Sequence, residues 1–173
     1  VDEATARAKA KRLLDRVEEL TRANVADFTA NPALLRQFWQ DFDGGGFVYV
    51  LDRWACPEPA CWDTYRELRE RVPRAPRPWD CKKATAALGA ALAVEGVPLA
   101  LGLRPGERVS HAILGVLPSG SAIGAQPSSG SVGTAAGKDL GADPRIRPLD
   151  PSVWTGMQPL TMREYAETYW RKL

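Results

Sequence analysis

The sequence predicts an α+β domain, with helices through its first third and an antiparallel sheet in its second half. Three observations carry that prediction. Apolar residues recur at helical spacing between Ala6 and Leu20 and again between Leu34 and Trp39. Residues 81–96 form a long run of small and apolar residues, "CKKATAALGAALAVEG". Two β-rich runs, "LALGL" at 99–103 and "HAILGVL" at 111–117, are joined by "RPGERVS", a connection short enough for a hairpin.

Taken in order, Leu13, Leu14, Val17 and Leu20, preceded by Ala6 and Ala10, form the buried stripe of a first helix whose other face is "RAKAKR" and "DRVEE". Asn31 is a good N-cap and Pro32 fits the first position of a second helix, which "GGG" at 44–46 stops. "FVYVL" at 47–51 reads as a strand. From "WACPEPACW" to "RVPRAPRP" the chain reads as mostly irregular, with a short helix over Asp63–Arg71. The helix that begins at Cys81 carries Ala84, Ala87, Leu88, Ala91 and Leu92 on one stripe and ends at Gly96, with Pro98 beyond. Residues 118–144, rich in Gly, Ser, Ala and Pro, read as a long loop, and "RIRPLD" as a further strand. Thr161 and Glu164 have capping-box spacing ahead of a terminal helix, "TMREYAETYWRKL". The division expected is a helical extension over 1–46 on a core over 47–173, with no internal repeat.

A chain of 173 residues, 45% hydrophobic and 25% charged, is long enough to bury a core of its own. Its 23 basic and 21 acidic side chains leave a net charge of +2, which makes no electrostatic case for nucleic acid or an anionic membrane as partner. No apolar run approaches the roughly 20 residues of a membrane span, and the N-terminal segment lacks the apolar core of a signal peptide; this leaves the location open, with the cytoplasm favoured.

The three cysteines are an odd number, so at least one is free unless another chain pairs with it. Cys56 and Cys61 bracket "PEPA"; a small disulfide loop, half of a metal site and two reduced thiols are all open to them, with reduced thiols the favoured reading. A zinc site would have to recruit Cys81, His111 or carboxylates as well. Cys81 is different, because it stands at the first turn of a predicted helix, where unpaired N–H groups and the helix dipole favour thiolate over thiol. An imidazole beside such a cysteine, itself held by a carboxylate, makes a nucleophile. The chain has one histidine, His111, at the start of a predicted strand, and Asp150 ends another in "PLDP". Taken singly, each has a plainer role: the thiol as a small buried hydrophobe, the histidine as a structural ring, the aspartate as a turn cap.

"DC" followed by a helix ending "GVP", then a strand, a histidine opening "HAILGV" and finally "PLDPS" resembles the core of the transglutaminase-like superfamily of cysteine enzymes. That resemblance covers residues 62–152 and implies a papain-like fold with a catalytic triad of Cys81, His111 and Asp150 and no cofactor. "CWDTYREL" is loosely similar to the segment preceding the nucleophile in bacterial members, which makes Trp62 the candidate oxyanion donor alongside the Cys81 backbone N–H. The chain departs from the family in having Lys82 and Lys83 where acidic residues are common, Trp79 where glycine is usual, and 39 residues between His111 and Asp150, which an inserted loop accounts for. Trp79, Lys82 and Lys83 are the candidate substrate-groove residues.

The expected activity is hydrolysis of a peptide or isopeptide bond in a protein or peptide substrate. Transglutaminase-type acyl transfer and cross-linking is one alternative. A catalytically inactive interaction or assembly module, with the N-terminal helices binding a partner protein, is the other. Competing motifs fail on spacing. "GTAAGKD" at 133–139 lacks the first glycine and the hydroxyl of a phosphate loop, Asp41, Asp43 and Asp52 lack the glutamate that closes a calcium loop, and no G-x-S-x-G elbow is present.

Overall fold

The fold, seen in a computed structural model, is described for residues 2–52, 54, 59–118, 138–139 and 145–173. Helix α1 spans Glu3–Ala30 and starts where the Asp2 carboxylate accepts from the Thr5 N–H. Asn31 separates it from α2 (Pro32–Asp43), which has Pro at its first position as expected, although the Asn31 side chain makes no capping bond. After Gly45, held at φ +70°, the chain enters β1 (Phe47–Tyr49). A 3-10 turn over Pro59–Trp62 leads to α3 (Tyr65–Arg71), closed by a Thr64–Glu67 capping box. Strand β2 (Arg77–Trp79) then delivers the chain to α4 (Cys81–Val94). The remainder is β3 (Leu99–Arg104), β4 (His111–Val116), β5 (Lys138–Asp139), β6 (Arg147–Leu149), α5 (Pro151–Trp154), α6 (Met162–Ala166) and β7 (Tyr169–Lys172).

Strands run in the order β5-β7-β3-β4-β6, and β7, β3, β4 and β6 form a four-stranded antiparallel sheet that β5 joins in parallel. Helix α4 packs on one face of it, through Leu101, Leu103, Ala112, Leu114 and Tyr169, and α1 covers α4 with Ala10, Leu13, Leu14 and Val17 in the same core. The stripe read from the sequence of α1 is therefore spent on α4. Position by position, α4 follows β4: Cys81 lies beside Ser110, the Thr85 hydroxyl donates to the Ala112 carbonyl at 3.2 Å, and Gly89 meets Leu114. These positions are four residues apart, one face of the helix. A Cβ on Gly89 would come within 2.9 Å of Leu114 Cδ2, so glycine sets how closely the helix approaches the strand.

Strand β2 was not legible as a strand, because Pro78 occupies its centre. It is tolerated in a two-stranded parallel ribbon with β1, at a sheet edge that does not need the missing N–H. What anchors it is Arg77, buried, with Nη1 2.6 Å from Asp41 Oδ2 and Nε donating to the Val72 carbonyl at 2.8 Å. Trp79 stacks on Phe47 with ring centroids 3.7 Å apart and donates Nε1 to Thr155 Oγ1 at 3.0 Å.

The expected terminal helix is corrected to a five-residue helix followed by a strand. Thr161 and Glu164 do form the capping box, but the last residues pair with β3 as β7. Aromatic residues favour that outcome: Trp170 stands opposite Gly102 and fills the space that its missing side chain and that of Gly115 leave on the face away from α4. The loop reading for 118–144 falls largely outside the described residues; within it Lys138 and Asp139 are strand β5.

Gly115→Ala would place a Cβ 2.1 Å from Ile146 Cγ2 and 2.7 Å from Trp170 Cζ3. The expected result is a loss of about 1–3 kcal/mol in unfolding free energy by urea titration.

Candidate active site

Helix α4 begins with Asp80 as its N-cap, whose carboxylate accepts from the Lys83 N–H at 3.2 Å, so Cys81 is the first helical residue. Its sulfur turns into the protein rather than out of it. Sγ lies 4.0 Å from the Ser110 carbonyl oxygen and accepts from the Ala112 N–H, which places it against the β4 backbone on both sides of His111. Only 1% of Cys81 is exposed.

Burial decides the protonation state. The helix terminus, the Ala112 N–H and the Lys82 ammonium all favour thiolate, but loss of solvent outweighs them and, with the Asp80 carboxylate adding to the rise, pushes the thiol up to about 12. The expectation of a lowered thiol pKa at the helix start is thus corrected: in this state Cys81 is a neutral thiol.

His111 opens β4 on the face opposite α4's contacts, and Leu149 of β6 stands opposite Leu114, so Asp150, one residue further, comes level with Ile113 on the His111 side. The two side chains meet: Nε2 of His111 is 2.6 Å from Oδ2 of Asp150, and both residues are buried. The other carboxylate oxygen, Oδ1, accepts from the Ser152 N–H at 3.0 Å, because Asp150 caps the short α5. An ionised carboxylate can only accept, so Nε2 carries the ring proton and Nδ1 is left as a base. Asp150 is held at both oxygens and in turn holds the ring, the arrangement that fixes an imidazole's tautomer.

The other candidates lie elsewhere. Lys82 is fully buried and ion-paired with Asp80, with Asp52 Oδ2 at 4.0 Å and the rings of Trp54 and Trp62 at 5.8 and 5.4 Å. It balances the buried N-cap carboxylate. Trp79 is equally buried against Phe47, and Lys83 is mostly buried and donates to Asp52 at 3.2 Å. Charge pairing holds Lys82 and Lys83 and ring stacking holds Trp79, while Trp79 and Lys83 also border a cavity beside the start of α4. Trp62 sits under the Arg16 guanidinium at 4.0 Å, edge-on to Trp54, with its buried Nε1 unpartnered among the described residues.

A residue missed in the sequence lies close to the triad candidates. Burial raises the pKa of the Tyr49 phenol, and the Asp80 and Asp150 carboxylates add to the rise. Phe47 is buried while Val48 and Val50 are 41% and 49% exposed, an alternation that turns Tyr49 inward with Phe47 but that the all-apolar "FVYV" does not show in the sequence.

Cys61 is disulfide-bonded, which corrects the reduced-thiol reading for that residue and is the state that oxidising surroundings sustain; Cys56 lies outside the described residues. Cys81 is free. Among the described residues no cluster of three or more His, Cys, Asp or Glu side chains gathers as for a metal, and no helix is long and apolar enough to cross a membrane. One cavity, of about 470 Å³ and lined by Glu3, Lys9, Gly106, Lys138 and Tyr169 among others, includes none of the triad candidates. A second, of about 300 Å³, includes Val50, Leu51, Pro78, Trp79 and Lys83 beside the start of α4. Comparison with protein-family models, curated proteins and solved structures returns no match.

A thiol raised from 9.0 to about 12 on folding keeps its proton while the unfolded chain loses it. The protein therefore loses stability as pH rises through that window, by up to about 1.4 kcal/mol per pH unit from this group. Denaturation of the wild type and Cys81→Ala between pH 8 and about 11 is expected to give a steeper alkaline loss for the wild type.

Proposed function

We propose that this protein is a cysteine hydrolase acting on peptide or isopeptide amide bonds through Cys81, His111 and Asp150, with a papain-like, transglutaminase-like core. The observation that carries the reading is the buried His111–Asp150 pair, with the Cys81 sulfur lodged against the backbone of the strand that His111 opens.

In this reading the resting site is a neutral thiol, with the imidazole held by Asp150. As Cys81 Sγ attacks the amide carbonyl, its proton passes to His111 Nδ1, so charge separates only when a carbonyl is there to take the electrons. Asp150 stabilises the imidazolium that forms, through Nε2–H. Collapse of the tetrahedral intermediate breaks the C–N bond, and His111 returns the proton to the leaving amine. A thioester on Cys81 remains. Water, giving a proton to His111 as it attacks, releases the carboxylic acid and the free thiol; a primary amine in place of water gives acyl transfer. Hydrolysis is the reading favoured here, with transfer decided by which acceptor reaches the thioester.

A second reading, a non-catalytic interaction module, is favoured by one observation: the 1% exposure of Cys81. Acylation separates the two. With p-nitrophenyl acetate, the hydrolase is expected to give a burst of p-nitrophenol matched by one acetyl group on Cys81 in the intact mass. His111→Ala is expected to slow that burst by about 100-fold or more. An unacylated Cys81, or a burst unaffected by His111→Ala, would sink the hydrolase reading and leave the binding module.

A further inference from the structure

If Cys81 attacks a carbonyl, the oxygen of that carbonyl becomes an anion and needs donors. The backbone N–H of Cys81, at the first position of α4, is one. Trp62, the second donor suggested by resemblance, packs against Arg16, Trp54 and Lys82.

Strand β1 pairs with β2 so that Tyr49 stands opposite Trp79, the residue two before Cys81. On its other side the Tyr49 N–H donates to the Thr155 carbonyl at 2.9 Å, at the end of the short helix that Asp150 caps. Tyr49 thus bridges the segment carrying the thiol and the segment carrying the carboxylate. Its ring is half-buried against the core that contains Cys81, and its neighbours Val50 and Trp79 are themselves tied by a 2.9 Å backbone hydrogen bond. The phenol has no hydrogen-bond partner among the described residues, although the Asp80 and Asp150 carboxylates act on it electrostatically. A hydroxyl with a proton to give, on a half-buried residue of the strand paired with the segment that leads into Cys81, is a donor waiting for an acceptor.

We infer that Tyr49 is the second oxyanion donor of the site, its hydroxyl donating to the carbonyl oxygen as Cys81 attacks it. This rests on the cysteine-hydrolase reading above. No covalent bond to Tyr49 forms; its O–H hydrogen bond strengthens as negative charge gathers on the substrate oxygen and relaxes when the C–O double bond returns. Partial burial, with the Asp80 and Asp150 carboxylates adding to it, keeps the phenol in its protonated, donating form.

Tyr49→Phe keeps the ring and removes only the donor, which makes it the decisive variant. Two reactions at Cys81 are compared: acetylation by p-nitrophenyl acetate, which passes through an oxyanion, and alkylation by iodoacetamide at its saturated carbon, which does not. The expected result is acetylation slowed about 100-fold, alkylation changed by less than about twofold, and an unaltered Tm. Equal acetylation by Tyr49→Phe and wild type overturns the assignment while leaving the hydrolase reading standing. A matched fall in both reactions also overturns it, since Tyr49 would then act on the thiol. A wild type with no Cys81-dependent acetylation overturns the hydrolase reading and the role of Tyr49 together.

Discussion

The structure depends on the closeness with which helix α4 lies along strand β4. Cys81, Thr85 and Gly89, one helical face, meet Ser110, Ala112 and Leu114 in turn, and the absence of a side chain at Gly89 permits the approach. Alanine dominates the rest of that helix for the same reason, since a small side chain lets two backbones approach. Everything else in the core is arranged around this contact: α1 closes over the back of α4, and the far face of the sheet is filled by Trp170 lying across two glycines. The contact also lodges the Cys81 thiol against the backbone next to His111.

Around the start of α4, burial and charge work against each other. Asp80 is needed as the N-cap, yet it is buried, and desolvation raises its pKa despite the Lys82 ammonium beside it. Lys82 is in turn enclosed by two tryptophans, so the pair is sealed from water, where ion pairs survive only with close partners. The same loss of solvent keeps Cys81 a thiol against the pull of the helix terminus. A buried thiol of this kind stores no charge at rest and so avoids the desolvation cost of a standing thiolate.

The helices, the hairpin and the order of the three candidate site residues could be read from the sequence because they rest on local signals: the apolar stripe of α1, Pro32 after Asn31, the alanine run, and the strand–turn–strand pattern of 99–117. Asp150 was legible as a residue ending a strand, though its double engagement with His111 and Ser152 is a product of register. What could not be read is set by tertiary contact. Residues 169–172 carry the tail of a helical pattern but become strand because β3 offers Gly102 as a seat for Trp170. Lys82 and Lys83 look like surface charge until Asp80 and Asp52 are seen to hold them. Tyr49 sits in an ordinary strand pattern, and nothing local says that β1 pairs with the strand leading into Cys81.

The central claim is that Cys81 and His111 act as one unit, and the single histidine of the chain makes it directly measurable. The imidazole ¹⁵N spectrum of the protein at neutral pH contains one ring. The account predicts a protonated Nε2 held by Asp150 and an unprotonated Nδ1 whose resonance moves when Cys81 is replaced by alanine. A proton on Nδ1, or an Nδ1 resonance indifferent to Cys81→Ala, would contradict it.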